Sequence, residues 1–69
     1  MSFNVPNEVK AQMLQERIKA LNDEGYQHEL NKKAAEAIGN QDVVWSSEDA
    51  IKIIKSAIEV HEKELSELE

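Results

Sequence analysis

The segment WSSEDAIKIIKSAIEVHEKELSEL, residues 45 to 68, decides the fold class, because a helix-start pattern leads straight into an apolar stripe of helical period. With Ser46 as N-cap, Asp49 falls at the third helical position, the reciprocal capping pattern in which a hydroxyl bonds a free backbone amide. Glu48 and Asp49 also put negative charge at the positive end of the helix dipole. Trp45 and Ala50 occupy the two places of a hydrophobic staple. From there Ala50, Ile51, Ile54, Ala57, Ile58, His61, Leu65 and Leu68 recur at steps of three and four, while Lys52, Lys55, Glu59, Glu62 and Lys63 take the other side. One long amphipathic helix is predicted over residues 47 to 67.

Working outward, residues 39 to 45 (Gly-Asn-Gln-Asp-Val-Val-Trp) read as a loop, with Val43, Val44 and Trp45 closing one end of a bundle. A helix over residues 5 to 24 is signalled by Asn4 as N-cap, Pro6 in the first turn, where its missing amide costs nothing, and Glu8 behind it. Its apolar residues Val9, Met13, Leu14, Ile18 and Leu21, with Ala11 and Ala20, cover a broad arc. Within that arc, Ala11, Leu14, Ile18 and Leu21 form a narrower line of three-four spacing. Gly25 can adopt the left-handed conformation that ends a helix, so a break there is preferred over one long helix that tolerates the glycine. A short helix over 26 to 38 then carries Tyr26, Leu30, Ala34, Ala37 and Ile38 as its stripe and stops at Gly39-Asn40. The expected architecture is all-α: a small three-helix bundle forming a single domain over residues 1 to 69.

Size sets the next constraint. A core built from 69 residues contributes only about 3 to 5 kcal/mol of net stability without reinforcement. There is no cysteine to form a disulfide, and the two histidines lack further ligands at metal spacing. Self-association, as a homodimer, or a stable protein partner is the remaining source of stability.

No basic segment followed by an apolar run opens the chain, and no stretch approaches the roughly 18 apolar residues of a membrane span, so a cytosolic protein is expected. The formal charge is −6, and residues 59 to 69 hold five glutamates against Lys63 alone. That acidic end opposes nucleic acid and anionic membranes.

No catalytic constellation emerges. Ser2, Ser46, Ser47, Ser56 and Ser66 have no nucleophile elbow or glycine-rich oxyanion loop around them. His61 lies on the apolar face between Ala57 and Leu65, within reach of a pH-sensing role, whereas His28 reads as a surface position. The Glu-x-x-His pattern of carboxylate-bridged metal helices is absent. Neither a cofactor nor a metal is expected.

The sequence thus predicts a non-enzymatic interaction module, an adaptor or modulator. Its partner-binding residues are expected to be Val43, Val44, Trp45, Ile51, Ile58, His61, Leu65 and Leu68, with Trp45 able to fill a partner's pocket. One alternative is an acidic mimic of nucleic acid that inhibits a DNA-binding protein, although lysines interrupt its negative track. A second follows from Ala34-Ala35-Glu36-Ala37-Ile38-Gly39, which resembles the end of the first helix of a helix-turn-helix. There, Glu48 and Asp49 fall where a recognition helix would approach phosphates, and the overall acidity opposes the reading.

Overall fold

In the computed structural model, residues 3–68 are described; Ser2 and Glu69, which figure in the reading above, lie outside them. Among the described residues there are two helices and no strand. Helix α1 spans Asn7–Ile38 and α2 spans Gln41–Glu67, joined by Gly39 and Asn40 and packed side by side as an antiparallel hairpin. At 1.5 Å per residue the 32 residues of α1 reach about 48 Å. That accounts for the 49 Å long dimension of the molecule. No helix among the described residues is long and apolar enough to cross a membrane.

Three boundaries differ from the sequence-based expectation. The first concerns the start of α1, where Pro6 rather than Asn4 takes the N-cap position and its carbonyl accepts from the amides of Val9 and Lys10 at 3.1 and 3.0 Å. The second concerns the turn. Gly39 adopts the left-handed conformation (φ 73°), its amide donates to Glu36 O, and the Asn40 amide donates to Ala35 O at 2.9 Å. This paired closure ends α1, and a side chain other than glycine would be strained there. Asn40 then caps α2 at once: its Oδ1 accepts from the Val43 amide at 3.3 Å, with Asp42 supplying charge in the first turn. The loop expected over 39 to 45 therefore shrinks to two residues. Ser46 is not the cap; it lies within the helix, where its hydroxyl donates to Val43 O at 3.1 Å. Two capping signals compete within seven residues. The earlier one wins because it carries Val44 and Ser47 into the buried contact with α1.

The third difference removes the expected break at Gly25. The chain passes through it as helix, so one long helix replaces the predicted pair and the three-helix bundle becomes a hairpin. The reason is tertiary. On α1, Ala11, Leu14, Ile18, Leu21, Gly25, His28, Lys32 and Ala35 are the residues turned from solvent at steps of three and four. On α2 the same rhythm selects Val44, Ser47, Ile51, Ile54, Ile58, His61, Leu65 and Leu68. These are two facing seams of seven-residue repeat, the geometry of an antiparallel coiled coil. Gly25 sits opposite Ile54, and a straight α1 continues the seam beyond it for three further turns. The register set by Gly25 and Ile54 places Leu21 against Ile58, Leu14 against Leu65 and Ala35 against Val44.

A Cβ built on Gly25 meets Ile54 Cγ2 at 3.5 Å, ordinary van der Waals contact. Gly25→Ala is therefore expected to stabilise the fold by about 0.5 to 1 kcal/mol, the helix-propensity gain of alanine over glycine. A shift of the urea midpoint to higher concentration checks this. A lower midpoint would mean that the glycine is needed for a bend.

The seam itself is thin. Among the described residues, Ala35, Val44 and Ile54 alone are buried apolar residues, and no large side chain is fully enclosed. Toward the turn the α1 seam becomes polar, with His28 and Lys32, and the Lys32 ammonium pairs with Glu48 across the helices at 3.2 Å. Being partly exposed, that pair adds little stability.

Candidate interaction surface

A hairpin has two flanks, and here they differ in chemistry. One is polar: Glu29, Lys33 and Glu36 of α1 share a shallow groove with Lys55 of α2, and Lys52 and Glu59 continue the charge along α2. The other is largely apolar. On α2 it carries Val43, Ala50, Ile53, Ala57 and Val60, flanked by Ser46, Glu64 and Glu67; on α1 it carries Met13, Ala20, Ala34 and Ile38, interrupted by Lys10, Arg17, Glu24, Gln27 and Asn31. Ile38 is 79% exposed, Ile53 70% and Val60 59%. Scattered exposed apolar residues are ordinary, but a run of them along one side of a helix, as on α2 from Val43 to Val60, signals a contact surface.

Open grooves mark both ends of this apolar flank. Near the turn a groove of about 600 Å³ is lined by Ala34, Ala35, Ile38, Val43, Ser46 and Ser47 among others. Near the chain ends a second, of about 360 Å³, is lined by Phe3, Val5, Met13, Leu14, Arg17, His61 and Leu68 with Lys10 and Glu64 at its edge.

His61 borders the second groove. Its Nε2 accepts from Arg17 Nε–H at 2.9 Å, and its Nδ1 is bonded to the carbonyl of Ala57 one turn earlier. Only the neutral ring with its proton on Nδ1 makes both bonds at once. The side chain thus ties the two helices together near their open end. Nothing in this arrangement resembles a nucleophile with a base, since the second partner of the imidazole is a backbone carbonyl.

The expected partner-binding residues fall into two groups. Val44 is buried and Ile51, Ile58, His61, Leu65 and Leu68 are half-buried along the seam, where they pack on α1 of the same chain. Val43 and Trp45 are exposed but lie on opposite flanks: Val43 on the apolar one, Trp45, 59% exposed, beside Lys52 on the polar one. The staple expected between Trp45 and Ala50 does not form the helix start, because α2 begins before both. Tyr26, Leu30, Ala34, Ala37 and Ile38, read as the stripe of a short helix, are all exposed; the seam there runs through Gly25, His28, Lys32 and Ala35 instead.

Sequence reasoning missed Met13, Ile38, Ile53 and Val60 as surface candidates. A signal was present. Val43, Ala50, Ile53, Ala57 and Val60 form a second apolar line on α2, offset by one residue from the first.

Comparison with protein families, curated proteins and solved structures returns no match.

Proposed function

We propose that this protein is a non-enzymatic interaction module that associates with itself through the apolar flank of its hairpin. The observation that carries this reading is the uncovered face of Ile38, Ile53 and Val60, set beside a seam in which three apolar residues are buried among those described. An isolated pair of helices with so little core is marginal in water. Covering the flank supplies the apolar burial that the hairpin lacks, and the polar flank, bearing Trp45, remains outward for another protein. The acidic end of α2, which holds Glu59, Glu62, Glu64 and Glu67, disfavours nucleic acid as that partner. On the polar flank Glu29, Lys33 and Lys55 mix signs rather than forming the continuous negative track that mimicry of a nucleic acid requires.

Dilution tests the reading. Light scattering should give at least twice 7.8 kDa at high concentration, and mass and helix content should fall together as the protein is diluted. A well-folded species of 7.8 kDa at every concentration would refute self-association.

A further inference from the structure

Resting on that reading, we infer that the occupant of the apolar flank is a second copy of this chain, docked with its α2 antiparallel to the first and with the two turns at opposite ends. The exposed area of the single chain favours a partner. A compact folded monomer of 7.8 kDa exposes about 4,400 Å² by the size scaling of globular proteins. This chain exposes 5593 Å². The excess of about 1,200 Å² belongs to the elongated form of the hairpin, 49 × 19 × 16 Å, and its long open flank has room for the roughly 800 Å² per partner that a stable interface covers.

The flank is also self-complementary. A twofold interface places the same surface on both sides, so each large residue must meet a small one at the mirrored position. Along the flank of α2, small Ala50 and Ala57 alternate with large Ile53 and Val60. With the twofold axis level with residue 55, Ile53 seats on Ala57 of the partner subunit and Val60 on Ala50 of the partner subunit. The reciprocal contacts follow by symmetry.

The other arrangement is unfavourable. With both turns at one end, α2 would face α1 of the partner subunit. Ile53 and Ala57 would then cover Glu24 and Gln27, burying a carboxylate without a cation. Docking α2 on α2 keeps Glu24 and Gln27 beside the contact, and it sets Glu64 and Glu67, opposite Ser46 and Val43 of the partner subunit, at the two ends of the contact, where water reaches them.

The chain has no cysteine, so a single nitroxide at Gln41→Cys, the exposed first residue of α2, is a clean probe. Gln41 lies fourteen residues from the proposed axis, so the two labels should be separated by about 42 Å along the bundle. Turns at the same end would put them within about 20 Å, roughly two helix diameters. Pulsed dipolar spectroscopy at a concentration where light scattering gives a dimer separates the cases. The long distance is the expected result. A short one overturns the antiparallel arrangement while leaving self-association standing. A monomeric mass with no dipolar coupling overturns both.

Discussion

Ile54→Ala is expected to unfold most of the population at room temperature. Ile54 is 6% exposed, sits at the middle of the α2 seam, and is the residue facing Gly25, where α1 has no side chain to fill the space. Truncating a buried isoleucine to alanine costs about 2 to 5 kcal/mol, through lost transfer energy and the cavity left behind. A chain of this size holds only about 3 to 5 kcal/mol of net stability, so one such loss consumes most of it. The neighbours cannot close the gap, since the facing position is already glycine. Far-ultraviolet circular dichroism followed through urea should show a collapsed baseline or a midpoint near zero denaturant. Pairing the change with Gly25→Ala should recover part of the loss, because the added methyl re-enters the same space. A variant as stable as the parent would mean that the seam is not the core.

The second large effect concerns association. Ile53→Glu together with Val60→Glu should weaken self-association by at least about a hundredfold, as burying even one unpaired carboxylate costs more than the roughly 2.8 kcal/mol this represents. Both positions are mostly exposed within the single chain, and glutamate is a better helix former than isoleucine or valine. Any loss of fold should therefore follow from loss of the partner. Lys52→Glu, an equally acidic change on the polar flank, is the control and should leave the dimer intact. Sedimentation equilibrium on the three proteins decides the matter: an undisturbed dimer in the double variant would place the interface elsewhere.

The stripe of Ile51, Ile54, Ile58, His61, Leu65 and Leu68 was readable because it is periodic and local, and α2 buries that stripe. The line Ala11, Leu14, Ile18 and Leu21 was readable as well, and it is the first half of the α1 seam. Its second half was not, because Gly25, His28 and Lys32 carry no apolar signal, while Tyr26, Leu30 and Ile38 carry a strong one on the wrong side. Apolar periodicity reports where greasy residues cluster, and here two clusters serve two different contacts. The capping error has a similar origin. Ser46 with Asp49 and Asn40 with Asp42 are both sound helix starts, and local chemistry does not rank them.

Helical character, the amphipathic stripe of α2, the helix end at Gly39-Asn40 and the lack of any disulfide are all written in the amino-acid order alone. These follow from propensity, spacing and composition, which act over a few residues. The packing of α1 on α2 makes one continuous helix through Gly25, brings His28 and Lys32 into the seam, and leaves Ile38, Ile53 and Val60 outside. Each of those outcomes depends on which residue of α1 meets which residue of α2. That register is chosen by packing summed along the whole length of the hairpin, which no local window of sequence contains.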